Sequence, residues 1–212
     1  MSITIHTPKK LFDSHYELFI FAIALFAYGF AHGLIPEYAQ PVIEKAKELQ
    51  FEPYNITANI KAIFINNGLL SIVLWLGWIL IFFFGLNFFP PTVMIYNIGV
   101  PFGAVASNLT PLGYIQVLLA FGVFEALGFI FSMVAGLLFP KYFILKLLRR
   151  SVSFDSIITD SFSLFIYGAA FIFLGAFFEA LLLSPQAQIA GLALGTLATV
   201  IVLHKLWKSL TH

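Results

Sequence analysis

Residues 112–139 read LGYIQVLLAFGVFEALGFIFSMVAGLLF, an apolar run whose one charged residue is Glu125. A helix needs about 20 mostly apolar residues to cross a hydrocarbon core of roughly 30 Å, and this run is longer than that. A helix apolar on every side has no face for water. The run therefore sets the fold class: an all-α, polytopic transmembrane helical bundle. Composition agrees along the whole chain of 212 residues. Hydrophobic residues make up 60% and charged residues 10%, against about 25% charged in a soluble domain. A soluble enzyme is excluded as the default reading. Eleven Lys/Arg against ten Asp/Glu leave no basic face for nucleic acid, and the lack of cysteine excludes thiolate metal sites and disulfides.

Working outward, the chain divides into six expected membrane segments in a single integral membrane domain, residues 1–212. They cover about Tyr16–Leu34, Ala62–Phe89, Thr92–Ser107, Leu112–Phe139, Phe162–Leu183 and Ala187–Trp207. Prolines punctuate them: Pro90 and Pro91 after the second, Pro111 and Pro140 around the fourth, Pro185 after the fifth. The first apolar run exceeds a signal-peptide core of about 7–15 residues, so an uncleaved span is expected, although Ala31-His32-Gly33 would pass as a cleavage triplet. With the N-terminus cytoplasmic and six crossings, Lys9, Lys10, Lys141, Lys146, Arg149, Arg150, Lys205 and Lys208 share the inner side, and both termini lie there. Between the first two segments, residues 36–59 are polar. Val42, Ile43, Ala46 and Leu49 at helical spacing, opposite Glu44, Lys45, Lys47 and Glu48, predict an amphipathic helix in the outer interface, or else a solvated connector. Residues 151–160 read as a cytoplasmic connector whose serines and acids cap the fifth segment.

An ionisable side chain inside the bilayer costs about 2.5–3.5 kcal/mol on insertion scales, so it needs a partner or a task. Glu125 falls near the middle of the fourth segment, and Glu179 in the last turn or so of the fifth. Both sit in the string Phe-Glu-Ala-Leu, an echo that hints at acidic faces brought together, although helical rise sets their depths about 10 Å apart. The third segment is expected to be short and broken, because Pro101 deprives the Asn97 carbonyl of its helical bond and Gly99 and Gly103 relax the backbone. A break at that depth must be buried or line a cavity, and its free N–H groups could hold a carboxylate, so Glu125 is expected to contact it; a filled proline kink is the plainer alternative. Asn66, Asn67, His32 and Glu179 form a second polar group in the outer third, read as glue between helices. One histidine and one carboxylate are too little for a structural zinc site, so no metal is expected. Gly29-xxx-Gly33, Gly99-xxx-Gly103 and Gly191-xxx-Gly195 mark close helix contacts, within one chain or in a homo-oligomer. The many phenylalanines, Phe82-Phe83-Phe84 and Phe88-Phe89 among them, read as lipid-facing filler. No nucleophile elbow, His-Glu-x-x-His or phosphate loop occurs, so neither a catalytic residue nor a cofactor is expected.

Four stretches give the chain a family resemblance. Phe64-Ile65-Asn66-Asn67, Asn97-Ile98-Gly99 with Gly103, Gly122-Val123-Phe124-Glu125-Ala126, and Ala176-Phe177-Phe178-Glu179-Ala180 resemble, in order and spacing, motifs of the stage II sporulation protein M family of integral membrane proteins. The likeness covers about residues 60–183. Where that family commonly has Pro-His before the glycine, this chain has Ala120-Phe121. The resemblance implies a multi-pass protein whose sporulation members act with cell-wall-degrading partners as a membrane anchor or scaffold. A scaffold or subunit of a membrane-associated complex, with membrane or extracytoplasmic protein partners, is accordingly the first expected function. A channel or transporter for an ion or small solute, using Glu125 and the broken helix, is the alternative.

Overall fold

The structure, a computed structural model, describes residues 5–48, 52, 54–84 and 91–211. Helix accounts for 89% of them, and no strand occurs among them. In chain order the helices are α1 (Pro8–Gly33), α2 (Pro36–Glu48), α3 (Ile56–Phe84), α4 (Pro91–Asn108), α5 (Pro111–Val117), a π turn (Leu118–Gly122), α6 (Val123–Leu147), α7 (Phe154–Leu183) and α8 (Gln188–Thr211). Five stretches are long and apolar enough to cross a membrane: Pro8–Gly33, Ile56–Trp78, Pro111–Leu147, Phe154–Leu183 and Gln188–Lys208. This is the build of a membrane protein.

The sixth expected span is α4, an 18-residue helix that is not among those five. The break expected at residues 99–101 takes another form: α4 is one uninterrupted helix with Pro101 inside it. A bilayer helix tolerates such a proline where neighbouring helices hold the backbone, and α1 does so here. A methyl group added at Gly29 would strike the Tyr96 carbonyl, one at Gly33 the Val100 carbonyl, one at Gly99 the Phe26 carbonyl and one at Gly103 the Phe30 carbonyl. Backbone thus lies directly on backbone. The pairs rise in number together, so α1 and α4 run parallel. Gly195 packs on the Ala120 carbonyl in the same way, and Gly191 on the Leu181 side chain and the Leu182 backbone. All three small-residue faces are used within one chain.

Helix α6 is the core. Every residue from Gly128 to Leu138 is buried, as expected of a helix apolar all round. Helix α3 runs parallel to it (Asn67 by Glu125, Ser71 by Ser132, Leu74 by Gly136) and α7 antiparallel (Gly175 by Glu125, Ile172 by Gly128). Phe19 of α1 meets Phe131 edge-on at 5.2 Å, and Phe124 stacks on Phe178 at 5.5 Å. Phe19, Phe124, Phe129, Phe131 and Phe178 are therefore core rather than lipid-facing filler. Residues 88–90, and the side chains of Phe82, Phe83 and Phe84, lie outside the described residues.

Several boundaries differ from expectation: α1 begins at Pro8 rather than near Tyr16, and α3 at Ile56 rather than near Ala62, taking in the end of the polar stretch 36–59. Helix α6 continues through Pro140 to Leu147, and α7 begins at Phe154, so most of the expected connector is helix. Ser153 is the N-cap of α7 without a side-chain capping bond, and Asp155 sits in its first turn. Of the two expectations for residues 36–59, the helix is the one that forms: α2 spans Pro36–Glu48 and packs on α4, with Ala39 buried. Leu49 lies outside the described residues, as does the side chain of Ala46.

Candidate functional site: a carboxyl pair beside a cavity

Glu125 is 7% exposed, on the first turn of α6 directly after the π turn. A π turn inserts an extra residue per turn and often accompanies functional sites. Here it carries Phe121 and Gly122 to a cavity wall and delivers Glu125 to the same place. The Asn67 amide of α3 donates to Glu125 Oε1 at 2.5 Å. The Glu179 carboxyl of α7 lies next to the Glu125 carboxyl, and the two line one cavity. Two carboxylates side by side repel each other, and a proton between them would let one donate to the other. No ion pair to either glutamate occurs among the described residues.

The two carboxyls thus meet, although helical rise had set them at different depths. The reason is length. The helical run Pro111–Leu147 has 37 residues, more than one bilayer crossing needs. Its sequence midpoint is therefore not its membrane midpoint, and Glu125 comes level with the end of α7. Gly175 lets α6 approach: a methyl group there would strike the Glu125 side chain.

Beside the pair lies a cavity of about 200 Å³. Glu125 and Glu179 line it together with Pro101, Phe102, Tyr114 and Phe121. Pro101 thus shares a cavity with Glu125, whereas Glu125 takes its hydrogen bond from Asn67. Asn97 is exposed, and Gly99 and Gly103 are taken up by α1. Asn66 is exposed and reaches the site only through Asn67, its amide donating to Asn67 Oδ1 at 3.0 Å. His32 belongs elsewhere: its Nδ1 is 2.5 Å from the Tyr96 hydroxyl, and its ring stacks on Tyr38.

No protein-family model, no curated protein and no solved structure matches the chain. The site is thus read from its own chemistry.

A second polar cluster, at the other end of α7, escaped the sequence reading. Asp160 is 6% exposed and His15 is 5% exposed. His6 Nδ1 lies 2.5 Å from Asp160 Oδ1, and His15 Nε2 lies 3.1 Å from Oδ2. Lys10 Nζ is 3.0 Å from His6 Nε2, and Lys141 Nζ is 3.1 Å from His15 Nδ1. Lysine only donates, so both facing ring nitrogens accept and the opposite nitrogens carry the protons given to Asp160. Lys141 also pairs with Glu17. His15 has non-helical torsions (φ −142°, ψ 25°), a kink in α1 that turns its ring to Asp160. The available signal was ionisable residues at the heads of two apolar runs. Charge position alone assigns Lys141 to topology and Asp160 to a connector; their meeting with His6 and His15 depends on the fold. No group of three metal-ligating side chains suited to an ion occurs among the described residues.

Proposed function

We propose that the chain is a multi-pass membrane transport protein for a cation or a proton-carrying solute, with Glu125 and Glu179 as its binding pair. One observation carries this: two carboxyls in mutual contact line a cavity within membrane-spanning helices, with an amide beside them instead of a cation. Like charges in a dry site cannot both persist, so such a pair takes up a proton or a cation. The directions of the helices support six crossings: α1, α4 and α7 run one way and α3, α6 and α8 the other. With α4 counted, the basic residues Lys10, Lys141 and Lys208 fall at one end, cytoplasmic by the positive-inside rule, and both termini with them.

Membership of the stage II sporulation protein M family is part of the proposal. Three of the four stretches that carry the resemblance supply Asn67, Glu125 and Glu179 to one place, and the fourth contains the α4 glycines next to Pro101. The scaffold reading, with protein partners or a homo-oligomer, loses a support, because the glycine faces are spent on internal packing.

The test is flux. In proteoliposomes carrying an entrapped pH dye, or loaded with monovalent cations, the wild type moves protons or cations above the rate of empty vesicles. Glu125→Gln and Glu179→Gln each reduce that by about tenfold or more while remaining folded. A wild type no faster than empty vesicles for every such ion removes the transport reading and leaves the scaffold.

A further inference from the structure

The cavity is lopsided. One wall holds the carboxyl pair. The others are Phe102, Phe121, Tyr114, Val105, Val117 and Leu118, from α4, α5 and the π turn. Its wall reaches the apolar surface of the bundle: Val105, which lines it, is exposed. In a bilayer this mouth opens on acyl chains rather than on water. A site with carboxyls at one pole and aromatic rings around the rest complements an amphiphilic cation, since an ammonium group is held both by carboxylates and by ring faces. At about 200 Å³ the space is below the roughly 300–1,000 Å³ of a drug-sized site, so the occupant is small.

We infer that the cavity between α4, α5 and α7 binds a small free amine with an apolar body, which enters from the lipid side and places its ammonium group on Glu125 and Glu179. This rests on the transport reading and names its substrate class. The amine displaces the proton shared by the pair, so binding releases a proton. The apolar body lies against Phe102, Phe121 and Val117.

The experiment uses the full chain in phosphatidylcholine nanodiscs, titrated calorimetrically with 4-phenylbutylamine and, separately, with 4-phenylbutanol, against empty nanodiscs. Saturable binding of the amine, at least about tenfold tighter than that of the alcohol, is expected. Val117→Trp takes up space in the apolar part of the cavity. It should weaken the amine by about tenfold or more. Glu179→Gln should weaken the amine and spare the alcohol. Equal affinity for amine and alcohol overturns the inference, as does normal amine binding by folded Val117→Trp. Displacement of the amine by phosphatidylethanolamine at low mole fraction would assign the cavity to a lipid headgroup and overturn the free-amine assignment. Ion flux without amine binding sinks this inference alone; absence of both sinks the transport reading with it.

Discussion

Asp160 and Glu179 stand near opposite ends of one helix, about 28 Å apart at 1.5 Å of rise per residue, and are treated in opposite ways. Asp160 is answered on both oxygens by ring N–H groups, and those rings are answered in turn by Lys10 and Lys141. Its network is closed. Glu179 is answered by another carboxyl, and Glu125 by that and one amide, beside open space. The lesson concerns what burial of an acid means. A buried acid with matched partners ties elements together: here the head of α7 to the chain at His6, to the kink in α1 and to the far end of α6. A buried acid facing its like, with room beside it, is a site awaiting a proton or a cation.

Removing Asp160 should have the largest effect on stability. Asp160→Ala leaves the ring N–H groups of His6 and His15 without their acceptor and removes the carboxylate on which the network with Lys10 and Lys141 is built, and breaking a buried ionic network typically costs about 3–5 kcal/mol. Thermal unfolding in detergent should show a large drop in midpoint, with flux per folded molecule within about twofold of wild type. A stable Asp160→Ala protein that has lost flux would reverse the roles given to the two clusters.

Glu125→Gln should do the opposite. The amide removes the need for a shared proton and still offers an oxygen to Asn67, so the unfolding free energy should change by no more than about 1 kcal/mol. Flux should collapse. A loss of several kcal/mol, matching that of Asp160→Ala, would mean that the pair is structural too.

Smaller effects refine the contrast. Lys141→Met unpairs a partly exposed lysine from Glu17 and His15, and pairs of that exposure are worth up to about 1 kcal/mol. Asn67→Leu removes one interhelical bond, worth about 0.6 kcal/mol in membrane proteins. That small cost should come with a changed pH profile of flux, because Asn67 touches the proton-sharing pair; Lys141→Met should leave the profile where it was. An unaltered profile in Asn67→Leu would detach the amide from the site's chemistry.

The sequence by itself determined the membrane class, the approximate place of each helix and the candidacy of Glu125, Glu179 and Asn67. All of these follow from local quantities: the length of an apolar run, and the cost of a polar group inside one. It could not place Glu125 level with Glu179. That depends on how far Pro111–Leu147 overshoots one bilayer thickness, and Pro140 looked like a stop only because a proline's cost is local while the packing that offsets it is not. Nor could it show that Gly29, Gly33, Gly99 and Gly103 face one another within one chain, or that His15 turns out of helical geometry toward Asp160. Those outcomes are set by contacts between residues far apart in the chain, and only the tertiary structure decides which of them form.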